Sequence, residues 1–260
     1  MSHLMKNYGR LPVSFDHGQG VWLWDKEGHK YLDALAGIAV NSVGHAHPRL
    51  VRAIADQASK LIHCSNYFNI DLQEQVAEKL VEHSGLEAVF FCNSGLEANE
   101  CAIKIARKFG HAKGIEVPNI IVLKHAFHGR SIATLSATGN PSVREDFSPY
   151  TEGFIFVDES DLDGIRKIVE ENKNVVAIFF EPILGEGGVV PVDLSVIKGI
   201  REICDEHDLL MMCDEVQCGM GRSGKWFAHQ WAEIKPDVIT MAKGLAGGVP
   251  VGAVVVSKKA

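Results

Sequence analysis

Seven short, uninterrupted apolar runs constrain what this chain can fold into: Val89 to Cys92, Ile120 to Leu123, Phe154 to Val157, Val175 to Phe180, Leu209 to Cys213, Val238 to Met241 and Val251 to Val256. A strand with one wet face alternates polar and apolar side chains. These runs do not, so as strands they are covered on both faces, as in a parallel sheet held between layers of helices. Between them lie stripes with the three-to-four spacing of amphipathic helices. One begins at Pro48 and runs through Leu50, Ile54, Leu61 and Ile62, and a second holds Leu72, Val76 and Leu80. Three more hold Ala98, Ala102 and Phe109, then Leu162, Ile165 and Val169, then Ile197, Ile200 and Cys204. The fold class is α/β, a doubly wound sandwich with a mostly parallel central sheet. Val21 to Trp24 and Lys30 to Leu32 read as a hairpin around Gly28 that precedes this rhythm.

Composition excludes several kinds of partner. The net charge is -7 and no basic run occurs, so the phosphate-neutralising patch that nucleic acid requires is missing. No apolar stretch approaches the ~20 residues of a membrane-spanning helix. Met1 to Gly20 is polar, contains Pro12 and lacks the apolar core of a signal peptide, so a cytoplasmic protein is expected. The six cysteines form no CxxC pair and sit mostly in apolar runs, the pattern of small buried hydrophobes in a reducing compartment.

In parallel sheets, ligands bind beyond the carboxyl ends of the strands, and polar residues follow each run here. Asn93, Ser94 and Gly95 come after the first, and His125 to Arg130 after the second. Glu181 and the segment Gly185 to Gly188 follow the fourth, Asp214 to Gln217 the fifth, and Lys243 with Gly244 the sixth. Ser94 and Glu97 have capping-box spacing. Gly95 would let an anion approach backbone amides at the positive end of a helix dipole, although the same spacing serves a plain capped helix start. Asp214 ends a strand too apolar to leave a carboxylate without a cationic partner. The protonated ring nitrogen of a bound heterocycle would serve, as would a helix cap or a surface ion pair. A lysine at a strand end can form a Schiff base with an aldehyde cofactor; a lone lysine is ordinarily a solvated charge, and only the constellation gives Lys243 this significance.

The segments GHAHP (44–48), NSGLEANE (93–100), FHGR (127–130), EPILGEGG (181–188), DEVQCGMGRSGKWFA (214–228) and MAKGLAGGVPVGA (241–253) closely resemble the class III pyridoxal-phosphate aminotransferases. The opening NYGRLPV (7–13) with LAGIAVNSVGHAHP (35–48) is similar to the acetylornithine-specific branch. The resemblance implies a fold type I architecture in which residues 1–48 belong to a small domain, 49–260 form the cofactor-binding domain, and a C-terminal small domain lies outside this chain. It implies pyridoxal 5'-phosphate as cofactor and no metal. It assigns Lys243 to the covalent bond with the cofactor and to proton transfer, and Asp214 to the ring nitrogen. Phe127 and Val216 would take the two ring faces, Gln217 the ring hydroxyl, and Ser94, Gly95 and Leu96 the phosphate turn. Arg130 would grip a substrate carboxylate through the bidentate fork that carboxylates favour, and Glu186 would act as a switch carboxylate. Amino acids and 2-oxo acids are the implied substrates, with N-acetylornithine or a related ω-amine as donor, and a homodimer is the implied assembly.

Leu96 stands where the family usually has alanine, and Leu184 where it has glutamine. The chain also stops soon after Lys243, so the natural protein is expected to be longer, and the 260-residue piece alone to bind cofactor weakly and turn over poorly. Three rival readings have their own residues. Gly219 to Gly224 spells GxGxxG after a strand, with Asp237 as a candidate ribose acid, which suggests a nicotinamide-dependent oxidoreductase. His45 with His47, or His125 with His128, could bind zinc, but neither matches HExxH or implies a third ligand. A truncated, non-catalytic cofactor-binding relative is the third.

Overall fold

The computed structural model describes residues 3–260, which form two compact units that divide between Ser65 and Asn66. In the first, β1 (Phe15–Gln19), β2 (Trp22–Asp25) and β3 (Lys30–Leu32) form an antiparallel sheet. The hairpin expected around Gly28 is its second turn; β1, with only Phe15 as a large apolar residue, was not legible. The Asp25 carboxylate accepts from the Glu27 and His29 amides and from the Tyr31 hydroxyl, tying that turn to β3. A four-residue turn, α1 (Ala36–Ala39), precedes α2 (Pro48–Ala58). Helix α2 starts at the proline the sequence indicated but ends before Leu61 and Ile62. His45 Nε2 meets Asp33 at 2.7 Å and the His45 backbone bridges Gly20, so this histidine orders the loop ahead of α2. The boundary expected after residue 48 falls at the first residue of α2; the division by contacts falls after Ser65.

The second unit runs α3 (Asp71–Ser84), β4 (Ala88–Cys92), α4 (Gly95–Ala112), β5 (Asn119–Leu123), α5 (Ile132–Ala137), α6 (Pro141–Arg144), β6 (Phe154–Val157), α7 (Leu162–Glu171), β7 (Val175–Phe180), β8 (Ile183–Leu184), β9 (Val190–Pro191), α8 (Leu194–Glu206), β10 (Leu210–Asp214), β11 (Val238–Met241) and β12 (Gly252–Val256). All seven apolar runs are strands of one sheet, in the order β4-β12-β11-β10-β7-β5-β6. Alternate residues of each strand enter different cores. Ile121, Leu123, Ile178, Phe180, Met211 and Cys213 pack with Ile165 and Val169 of α7 and Ile197, Ile200 and Ile203 of α8. Their neighbours Ile120, Val122, Ala177, Phe179, Leu210 and Met212 pack with Ala98, Ala102, Ile103 and Ala106 of α4. Helices therefore cover both faces, which is why the runs carry no polar alternation.

One strand departs from the parallel pattern. β12 is antiparallel to both β11 and β4, while the other pairings are parallel. The segment between Met241 and Gly252 is too short to carry a crossover helix, so the chain returns in the opposite direction. Its entry into the sheet is tight: a Cβ at Gly252 would collide with the backbone carbonyl of Ser94, the residue whose side chain caps α4. Gly252→Ala is expected to push β12 and the Ser94 turn apart and destabilise this unit by about 1–3 kcal/mol, measured as a lower urea midpoint.

Candidate active site

Five loops leave the carboxyl ends of β4, β5, β7, β10 and β11 at the same edge of the sheet, and Asp214 lies at its centre. It is only 2% exposed. Its Oδ2 accepts from Asn99 Nδ2 at 2.7 Å and from His128 Nδ1 at 2.8 Å, and its Oδ1 accepts from the Val216 amide at 3.0 Å. Because a carboxylate only accepts, His128 carries its hydrogen on Nδ1 in this bond. Asn99 Nδ2 also donates to the His128 carbonyl, so the three residues contact one another pairwise. The His128 ring stacks on Phe179 with centroids 4.1 Å apart, and its backbone amide donates to Thr138 Oγ1. Asp214 is thus held within the chain by hydrogen-bond donors: a side-chain amide, an imidazole N–H and a backbone amide.

Two further buried carboxylates flank it. Glu181 follows β7 directly and accepts the Phe127 amide on Oε1 and the Gly185 amide on Oε2. Burial, then the charge of Asp214, pushes its carboxyl up to about 7 against the opposing effect of His128. Glu215 is fully buried and points the other way, accepting from the Ala228 and His229 amides and from His229 Nδ1. It pins the short 3₁₀ turn at Ala228–Ala232 beneath the β10 loop.

Lys243 opens a 3₁₀ turn after β11 and has φ +42, a left-handed conformation uncommon for a residue with a side chain. Burial lowers the pKa of its amine, and the charges of Asp214, Glu181 and Glu186 oppose that shift, so these four groups share one electrostatic environment. Ser94 caps α4, with Oγ accepting the Glu97 amide at 3.2 Å, while the Glu97 carboxylate takes the Asn93 amide. A Cβ on Gly95 would lie 2.6 Å from Val216 and 3.3 Å from Ala242, which brings the β4, β10 and β11 loops together. A Cβ on Gly185 would collide with the Gln217 amide group, and one on Gly129 would come within 3.4 Å of Leu96. Phe127 is half-buried, the exposed Arg130 guanidinium is 6.0 Å from its ring centroid, and Glu186 is exposed.

No cofactor role follows from the sequence for Glu181, Asn99, His128 or Glu215, and His128 stands there only as a zinc candidate. Asn99 had a usable signal, being a polar residue beside Ala98 and Ala102 on the buried face of α4. The dinucleotide reading fails on geometry. Gly219 to Gly224 opens no α-helix, and Asp237 lies at the amino end of β11, away from the loops, accepting from Arg201 and from the Met211 amide. The zinc reading of His125 and His128 also loses its basis, since His125 meets Glu159 while His128 is turned inward onto Asp214.

Residues 4–260 match the aminotransferase class-III family model. The chain is 54% identical over its whole length to the acetylornithine aminotransferase of Nitrosomonas europaea, of which it covers 66%, and 49% identical to that of Synechocystis, of which it covers 61%. Among solved structures, the ornithine aminotransferase of Toxoplasma gondii superposes with a TM-score of 0.94 at 34% identity, covering 99% of this chain and 62% of that one. The N-acetylornithine aminotransferase of Stenotrophomonas maltophilia gives 0.84 at 40% identity, covering 97% and 64%. This chain belongs to the class-III aminotransferase family, whose members depend on pyridoxal 5'-phosphate, and it spans less than two thirds of the length of most of these relatives. The residues present fit that cofactor. A buried acid fixed by donors, a capped helix start whose Gly95 packs against Val216, and a lysine of lowered pKa in the field of that acid are the kinds of group such a cofactor needs for its ring nitrogen, its phosphate and its aldehyde.

The lowered Lys243 pKa sets a pH dependence. The unfolded chain holds this proton more tightly than the folded one, so the burial cost is present at neutral pH and fades as pH rises towards the free value of 10.5. Lys243→Met should raise the thermal midpoint of the cofactor-free protein at pH ~7, and the gain should shrink by pH ~10.

Proposed function

We propose that the full-length protein transfers the ω-amine of N-acetylornithine to 2-oxoglutarate, giving N-acetylglutamate semialdehyde and glutamate. The observation that carries this reading is the Lys243 amine lying in the field of a buried, donor-held Asp214 in a chain with acetylornithine aminotransferase relatives at about half identity. The ornithine aminotransferase of Toxoplasma gondii shares the fold at 34% identity, against 54% for the acetylornithine aminotransferase of Nitrosomonas europaea, which favours the acetylated donor.

Pyridoxal 5'-phosphate, when bound, supplies an aldehyde that takes up the amine and a ring that accepts the electron pair released at the substrate carbon. Asp214 would hold the proton on the ring nitrogen, and the Asn99 and His128 donors keep its carboxylate oriented. Ser94, Gly95 and Leu96 would offer the helix start to the phosphate, where backbone N–H groups and the helix dipole favour an anion. Phe127 and Val216 would cover the two ring faces, and Gln217 would reach the ring hydroxyl. Lys243 Nζ gives up its proton more readily than a surface lysine, so it suits both attack on the aldehyde and removal and return of the proton at the substrate carbon. The exposed Arg130 would grip a substrate carboxylate, and the exposed Glu186 would act as the switch carboxylate, pairing with a second arginine when the ω-amino substrate is bound. We assign the protein to the cytoplasm; no described helix is long and apolar enough to cross a membrane. A homodimer is supported by uncovered apolar side chains of the second unit, among them Leu72 and Val76 on α3 and Phe90 on β4.

With full-length protein, an absorbance band that borohydride abolishes should form with the cofactor, and N-acetylornithine should turn over faster than ornithine, succinylornithine or 4-aminobutyrate. Lys243→Ala should lower turnover by about 10²–10⁴-fold or more while leaving the fold intact. A fully active variant would refute the role of Lys243 in covalent bonding and proton transfer. Arg130→Lys should raise KM for the carboxylate substrate about tenfold, the equivalent of ~1.4 kcal/mol, with a smaller change in kcat.

A further inference from the structure

We propose that Glu181 is a positioning residue whose two carboxylate oxygens hold, one each, the loop carrying Phe127 and the loop carrying Glu186. The inference rests on the roles proposed above for those two residues. Glu181 is only 5% exposed, and neither oxygen is idle: Oε1 accepts the Phe127 amide at 2.8 Å and Oε2 the Gly185 amide at 3.1 Å. These loops follow β5 and β7, which are neighbours in the sheet, yet Phe127 and Glu181 are 54 positions apart in the chain.

What the carboxylate fixes is backbone rather than ligand. On one side it sets the amide of the ring-facing Phe127, immediately before the His128 that holds Asp214. On the other it sets Gly185, the surface against which the Gln217 side chain rests and the residue before Glu186. A single acid thus keeps the ring-facing aromatic, the ring-hydroxyl contact and the exposed carboxylate in register. A burial this complete beside Asp214 is costly for a charge, and an apolar side chain of similar volume would fill the space without that cost. The two charge-assisted amide bonds offset it, because both acceptors are used.

The arrangement is sensitive to one proton. The charged and titratable groups in its field are Asp214, His128, Lys243 and Cys218. With the carboxyl ionised both oxygens are strong acceptors; once protonated, only the carbonyl oxygen is, and one loop is released. Burial and Asp214 bring that protonation close to neutrality, so the clamp is complete above about pH 7 and loosens below it.

Glu181→Gln imitates the loosened form, since its amide nitrogen cannot accept. The test follows hydrogen exchange in the full-length protein at peptides covering 124–130 and 183–188, without cofactor, from pH 6 to 8.5 after correction for intrinsic rates. In the wild type, protection of at least one peptide should rise about tenfold across this range. In Glu181→Gln it should stay low throughout, and the dissociation constant for pyridoxal 5'-phosphate should rise about tenfold and lose its pH dependence near neutrality. Equal protection in the two proteins at pH 8.5, or a wild-type profile flat across pH 7, would overturn the proposal; the wild-type series stands even if the variant does not fold. Failure of the functional reading would show differently, as a wild type that forms no borohydride-sensitive band with the cofactor.

Discussion

The candidate site depends on how a buried carboxylate at the tip of β10 is kept from water. An acid in that position is stable only where donors surround it, and here they come from three stretches of chain: Asn99 on α4, His128 after β5, and the Val216 amide just beyond the strand. Asn99 also bonds the His128 carbonyl, so Asn99, His128 and Asp214 cannot shift independently of one another. Satisfying one charge therefore sets α4 against the sheet and brings the β5 loop over β10. Residues far apart in sequence are brought to one small region as a consequence.

Neighbouring acids are put to different uses by the geometry of a strand end. Successive side chains at the end of β10 leave in opposite directions. Asp214 turns towards α4 and the loops, and Glu215 turns towards the 3₁₀ turn, where His229 and two amides hold it. One becomes the acid of the site and the other its floor. Lys243 lies where burial and the charges of Asp214, Glu181 and Glu186 act against one another. The base proposed for this position would have to switch between charged and neutral forms, and such a balance would serve it.

Much of this was legible beforehand. The seven strands and five longer helices follow from apolar spacing, because each strand needs two covered faces and each helix one. Asp214, Lys243 and the Ser94 turn followed from the rule that parallel sheets present their chemistry at the carboxyl ends of the strands. Less legible were β1, α5, α6 and the β8-β9 hairpin, which are short and owe their form to contacts made elsewhere. The antiparallel direction of β12 is set by the length of the segment before it rather than by its own residues, which are as apolar as those of any parallel strand.

Side-chain periodicity and interactions within a few residues already specify the layers, the strand tips and the residue types placed there. Which polar groups meet depends on how the packed chain brings distant segments together. His128 read as a loose metal-ligand candidate until folding stacked it on Phe179 and turned its Nδ1 to Asp214, and Glu181 read as a strand-end acid until two loops closed on it. The reason is that a buried polar group must find partners wherever the packed backbone leaves them, and that choice follows from three-dimensional proximity rather than from spacing along the chain.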